Sequence, residues 1–303
     1  MTDLLAASLK TIMLACASLL MGFVVLRTYL APETPVKRQR WWLSALAATL
    51  LLVSMADMLW RIRSVLGFVN LELALNYLQN TRHGAAVLWR SGLVLVLLLT
   101  LLQTRVRGLV VTLISSLSAA GVLYTFSAIS HAAAMGGLPE TLLDWTHFGA
   151  ASAWAGGLLA LVLSPAITQT PEHLLASVNR LSQLGLAAVI VLLLSGIASA
   201  RLHVDSAAVL TGTSYGQALI IKNALVLLTL AIAGANRWLF LPAARRLQPA
   251  LAVGVAGTVP ASRKTPAMGN ARALLTALRY EALVLITVLA ATGWLTTQPM
   301  PHD

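Results

Sequence analysis

Residues 183–200 read QLGLAAVIVLLLSGIASA, eighteen residues without a charge. At ~1.5 Å per residue, such a helix is about long enough to cross the hydrocarbon layer of a bilayer. Comparable runs recur at 4–26, 41–60, 85–103, 108–130, 142–163, 217–240 and 274–296. A soluble core does not need so many uninterrupted runs. In lipid every backbone polar group must be satisfied within the segment, which selects helices. The chain therefore reads as all-α, a polytopic membrane bundle of about eight transmembrane helices. Composition agrees: of 303 residues 58% are hydrophobic and only 10% charged, and mean hydropathy is +0.81. Soluble domains carry nearer a quarter charged residues.

The net charge of +11 does not indicate nucleic acid, because the bases sit in short loops between spans. Arg27, Lys37, Arg38, Arg40, Arg105, Arg107, Arg180, Arg245, Arg246, Arg263, Lys264 and Arg272 fall on one side, twelve in all. Arg61, Arg63, Arg82 and Arg201 fall on the other, four in all. The positive-inside rule then places both termini outside, in the periplasm if the membrane is a bacterial inner membrane. Trp41, Trp42 and Trp238 mark inner span ends, and Trp60, Trp89, Trp145 and Trp294 mark outer ends, as an aromatic belt would. Trp154 lies deeper. The N-terminus lacks a basic n-region, so the first helix reads as uncleaved. Cys16 is the only cysteine and lies within that helix, so no intramolecular disulfide forms.

Residues 61–84 show helical apolar spacing at Ile62, Val65, Leu66, Val69 and Leu73, which fits an amphipathic helix on the outer surface. Residues 242–273 read as a flexible cytoplasmic linker. The chain divides into a four-helix half, 1–140, and a second half, 141–303. A parallel 4+4 repeat would account for Thr81-x-x-Gly84-x5-Arg90 and Thr213-x-x-Gly216-x5-Lys222, four helices apart. Coincidence among low-complexity apolar segments is the alternative.

The chemistry lies on the outer side. His83, His131, His147, His203 and His302 all fall there, and only His173 is inner. Met135 and Met300 accompany outer histidines, and Met55 and Met58 lie three apart near the outer end of the second helix. Imidazole with thioether is a copper preference, since thioether selects Cu(I) and imidazole serves either oxidation state. Residues 144–157, DWTHFGAASAWAGG, put Asp144, His147, Ala151 and Trp154 on one helix face. Gly149, Ala153 and Gly157 form a second, small-residue face suited to close packing. Asp144 could orient the His147 ring or ligate directly. Taken alone, the pair serves equally well as a helix-end contact at the interface; the gathering of outer His and Met favours metal. The candidate site is thus His147, His131, Met135, Asp144, His83, His203, Met55 and Met58. Met13 and Cys16, one turn apart, offer sulfur steps inward, although methionine in an apolar helix usually packs. Asp57, Arg90 and Lys222 are further charges near outer ends, free to snorkel or to pair. No phosphate-binding loop, Ser-His-Asp set or zinc-protease helix motif occurs, so an enzyme or an ATP-driven pump is not indicated.

These residues carry a resemblance to the CopD family of bacterial copper-resistance and copper-homeostasis membrane proteins. The matching stretches are D-x-x-H-x6-W-x-G-G (Asp144, His147, Trp154, Gly156, Gly157), NRLSQLG at 179–185, SGIASA at 195–200, TGTSYGQALIIK at 211–222 and NRWLFLP at 236–242. TRHGAAVLWR at 81–90 adds a weaker match in the first half, and Leu181 stands where the family usually has Phe. The resemblance implies eight spans, a periplasmic metal site, copper ion as cargo passing toward the cytoplasm, and a separate small periplasmic CopC-like copper-binding partner. Two other functions compete: a b-type haem electron-transfer protein, which needs facing axial histidines, and a copper-binding scaffold or sensor that moves nothing.

Overall fold

A computed structural model describes residues 2–33, 39–103, 108–130, 133–134, 136–164, 171–203, 214–245 and 264–295. Among these, eight helices are long and apolar enough to cross a membrane: Leu4–Leu30, Arg40–Leu66, Arg82–Leu102, Leu109–Ser127, Gly137–Leu163, Glu172–Ser199, Gly216–Ala243 and Ala273–Leu295. The described structure is all-α, and these helices are called spans one to eight below.

The sixth span departs most from its expected start at 183, being helical from Pro171. Hydropathy marks only the part of a helix that suits hydrocarbon. The extra turns are held by packing, since Leu174, Val178 and Leu181 recur at helical spacing and are buried. The expected surface helix over 61–84 is shorter. Residues 61–66 extend the second span, which Gly67 ends at φ +80 with its N–H on the Arg63 carbonyl. A separate helix, Leu71–Asn80, follows; the Asn70 side chain accepts from the Leu73 N–H, and none of its residues is buried. Thr81 then caps the third span by accepting the Gly84 N–H at 2.9 Å. A Cβ on Gly84 would lie 2.1 Å from the Tyr77 carbonyl oxygen. The Thr-x-x-Gly pattern is therefore a cap followed by a close approach to the preceding helix. Of the expected linker, residues 246–263 lie outside the described residues, and helix resumes at Lys264.

The first span is the hub, packing on spans two, four, five and eight. Its contact with span five is made by backbone. A Cβ on Gly22 would meet Gly156 O at 1.9 Å, and one on Gly156 would meet Ser18 O at 1.9 Å. Ser18 Oγ and Ser152 Oγ lie 3.0 Å apart beside this crossing. Of the expected contact face of Gly149, Ala153 and Gly157, Gly157 is buried against Val25 and Leu30 of the first span, whereas Gly149 faces open space. The reason is a π-helical turn over Ser152–Gly156. Its i→i+5 bonding accommodates one extra residue and rotates the face, so that Ser152 and Gly156 meet the first span.

At the end opposite the N-terminus, arginines close neighbouring helix ends. Arg27 donates to the carbonyls of Leu101 and Gln103. Arg180 donates to those of Tyr29 at 3.2 Å and Leu30 at 3.3 Å. These bases satisfy last-turn carbonyls and complement the helix dipole, besides biasing orientation. Trp41, Trp89 and Trp238 point outward, each at least 70% exposed in the isolated bundle.

Gly156→Ala should displace span five from span one and lower the thermal unfolding midpoint in detergent, by the ~1–3 kcal/mol typical of overpacking. Gly149→Ala should be neutral or stabilise by up to ~1 kcal/mol, the ordinary helix gain. Equal effects of the two substitutions would contradict the assigned contact.

Candidate functional site

The odd-numbered spans begin, and the even-numbered spans end, at the N-terminal end of the bundle. Two polar centres form there.

The first is built by spans one to four. Asp57, 2% exposed, accepts from Arg61 Nε at 2.9 Å. Arg61 sits one helical turn on from Asp57, so the two share a face. His83, at the start of span three, places Nε2 3.2 Å from the same Asp57 oxygen. His83 Nδ1 is buried with no hydrogen-bond partner among the described residues. The ring also meets Tyr77 edge-on at 5.8 Å. Two turns deeper lies Arg90, 1% exposed. Its Nε donates to Thr125 Oγ1 at 3.0 Å and its terminal nitrogens donate to Ser54 Oγ at 3.1 Å and the Thr125 carbonyl at 3.5 Å. The guanidinium lies 3.8 Å over the Phe126 ring and 3.7 Å from Met13 Sδ. Arg90 therefore does not snorkel. Hydroxyls and an aromatic face take its hydrogen bonds and charge within the bundle. Lys10 interacts electrostatically with both Asp57 and Asp144.

The second centre is built by spans five to seven. His147 Nδ1 lies 2.8 Å from Ser195 Oγ on span six. The Ser195 hydroxyl donates to the Val191 carbonyl at 2.6 Å. A hydroxyl has one proton. With that proton given to Val191, Ser195 accepts from the ring, and His147 carries its hydrogen on Nδ1. Nε2 then presents its lone pair, and no described residue hydrogen-bonds to it. This is the tautomer a neutral imidazole needs to ligate a metal through Nε2. The ring packs beside Gly196, where a Cβ would lie in ordinary contact, 3.8 Å from His147 Cε1. Lys222 on span seven interacts electrostatically with His147 and with Asp144.

Of the residues singled out in the sequence, His147 is oriented by Ser195, and Asp144 is engaged electrostatically with Lys10 and Lys222. His83 joins Asp57. Met58 is fully buried, whereas Met55 is 41% exposed on the outer surface of the bundle. His131, Met135 and the side chain of His203 lie outside the described residues. Among the described residues no group of three or more His, Cys, Asp or Glu side chains is assembled to hold a metal. Sequence reasoning missed Ser195 and Arg61. Ser195 is 48 positions from its partner and no spacing signals it. Arg61 was legible, at i+4 from a carboxylate in one helix.

Residues 1–141 match the family model described as "Copper resistance protein D-like, N-terminal domain", and residues 175–295 match that for "Copper resistance protein D". Over 130 residues the chain is 35% identical to the copper transport protein CutJ of Bacillus subtilis (strain 168). That match covers 40% of this chain and 24% of CutJ, so it spans about a quarter of the relative. No solved structure matches the chain.

Asp57→Ala should destabilise the bundle by ~1–3 kcal/mol, because it removes the buried acceptor shared by Arg61 and His83 and leaves the half-buried donors without it. Arg61→Ala should cost less, because its own side chain is 45% exposed and the buried Asp57 carboxylate keeps His83 at 3.2 Å and its electrostatic interaction with Lys10. Thermal unfolding of the two variants in detergent checks the order, and a larger loss for Arg61→Ala would contradict it.

Proposed function

We propose, for a chain that belongs to the copper resistance protein D family, that it takes up copper ion at its N-terminal end through His147 and passes it inward across the membrane. The family concerns copper, and the chain is a multi-pass membrane protein of that family. The site, the direction and the bacterial inner membrane with periplasmic termini belong to this proposal. The observation that carries it is the bare Nε2 of His147, held in the ligating tautomer by Ser195. His131, Met135 and His203 would complete a His/Met set around that lone pair, which suits Cu(I). His83 has the complementary arrangement, a carboxylate on one ring nitrogen and a second nitrogen with no hydrogen-bond partner among the described residues. It is the second ligand we assign to the entry side.

Inward passage is favoured by an inside-negative potential, by ~2.3 kcal/mol per charge per 100 mV. The twelve-to-four basic asymmetry supports an outer placement of the site. A sulfur route through Met13 requires Arg90 to move, because Ser54 Oγ at 3.4 Å and the guanidinium now occupy the thioether. A separate periplasmic CopC-like protein is the partner that would load this site. We also read the chain as two four-helix halves. The equal spacing of Ser18 to Gly22 and Ser152 to Gly156, which meet across the centre, supports that division.

His147→Ala should lose most copper binding while remaining folded, read by metal analysis of the purified protein. Ser195→Ala should keep the ligand but loosen the ring, weakening copper affinity ~10–100-fold as is typical when a ligand loses its orienting partner. Wild-type affinity in both variants would move the site elsewhere.

In proteoliposomes, wild-type protein should admit Cu(I) faster than His147→Ala, and more so with the interior negative. Binding without entry in either condition would leave a scaffold as the better account.

A further inference from the structure

Far from both outer centres, spans seven and eight bury a carboxylate. Glu281 is 3% exposed and Asn236 is 6% exposed. Asn236 Nδ2 donates to Glu281 Oε2 at 2.6 Å. The other amide atom, Asn236 Oδ1, is buried and has no hydrogen-bond partner among the described residues. Nor does any described Lys, Arg or His form an ion pair with Glu281. Arg237, next to Asn236 in sequence, turns away and donates to the Ser182 hydroxyl at 2.6 Å and its carbonyl at 3.1 Å, and Arg279, two residues before Glu281, is exposed. Glu281 lies eight residues beyond the start of its span at Ala273, roughly 12 Å along the helix axis. It is therefore at membrane depth, nearer the end opposite His147. Asn236 opens a π-helical turn, Asn236–Phe240, a local irregularity often found where helices serve a function.

A buried carboxylate and an amide whose second atom is an orphaned acceptor oxygen sit side by side, with no positive partner among the described residues, where water is scarce. An isolated carboxylate in such a place is costly and usually functional. The donor set is oxygen only, which suits hard cations and does not suit Cu(I). A single carboxylate is neutralised by a single positive charge. We propose that Glu281 and Asn236 form an exchangeable site for a small hard monovalent cation, a proton or a sodium ion, on the side of the bundle opposite the copper entry. In a protein that moves copper, this site would supply the ion exchanged against the cargo. The site itself does not depend on the copper reading.

The test is infrared difference spectroscopy on the full-length protein in lipid, without copper. In one arm the pH is stepped at constant choline chloride. In the other, sodium chloride replaces choline chloride at constant pH. Wild type should show a carboxyl or carboxylate band in one arm: the pH arm identifies a proton, the sodium arm a sodium ion. Glu281→Gln should lose that band, and Asn236→Leu should keep it at a shifted frequency. If Glu281→Gln does not fold, Glu281→Asp should shift the band, because the shorter side chain draws the carboxyl from the amide. Superimposable spectra of wild type and Glu281→Gln, or of wild type and Glu281→Asp, in both arms overturn the site. Because copper is absent, such a failure leaves the copper reading standing, and failure of copper binding leaves these bands unaffected.

Discussion

Span one and span five meet where neither has a side chain to hold them apart. Gly22 and Gly156 let the two backbones touch, and Ser18 and Ser152 place hydroxyls beside the contact. In lipid there is no hydrophobic drive between helices, so close van der Waals approach and buried hydrogen bonds must do the joining. The rest of the bundle follows from this crossing. On one side of it span one packs on the later part of span five, with Leu26, Leu30, Leu158 and Leu161 fully buried. On the other side lie Met13, Lys10, Asp144 and His147, and the polar side chains gather. The π-turn in span five is what brings Ser152 and Gly156 round to this contact.

The charge balance of the N-terminal end bears on which ion it would accept. Lys10, Arg61, Arg90 and Lys222 are set among Asp57 and Asp144, so positive charge is in excess among the described residues. Such an end repels a hard ion whose binding is Coulombic. A soft ion that forms a coordinate bond to an imidazole or thioether has a compensating interaction, and copper is the ion for which that bond is strongest in the divalent first-row order. On the proposed reading, positive surroundings and a bare nitrogen lone pair would together favour a soft cation over a hard one. The oxygen site proposed at Glu281 has the opposite character, a carboxylate with no positive partner among the described residues.

The number of spans was legible because hydropathy is a property of each segment by itself. Thr81-x-x-Gly84, read in the sequence as one half of a repeat, is a cap and a close approach to the preceding helix, and Thr213 lies outside the described residues. The start of span six was not legible, because Pro171 to Ser182 remains helical through packing of Leu174, Val178 and Leu181, which a hydropathy window does not weigh. Gly149 lies off the packing face of span five and Gly157 on it, because a π-turn between them changes the residue period, and no residue type in SAWAG announces it. His147 was found as an ionisable group in an apolar helix. Its partner Ser195 was hidden, since serine is ordinary in a membrane helix and the pairing is tertiary. Glu281 carried the same intramembrane-charge signal as His147 and went unremarked in the sequence, because it lacks a histidine or methionine neighbour to suggest metal.

The central claim is that His147 offers Nε2 to copper while Nδ1 stays protonated on Ser195. The most direct measurement is the nitrogen-15 spectrum of the histidine-labelled protein, with His147→Gln used to assign the ring, before and after Cu(I) is added. The account predicts a protonated Nδ1 and a bare Nε2 in the free protein, and a copper-dependent shift confined to Nε2. Resonances of His147 that do not move when the protein is loaded with copper, or a free ring protonated on Nε2, would contradict it.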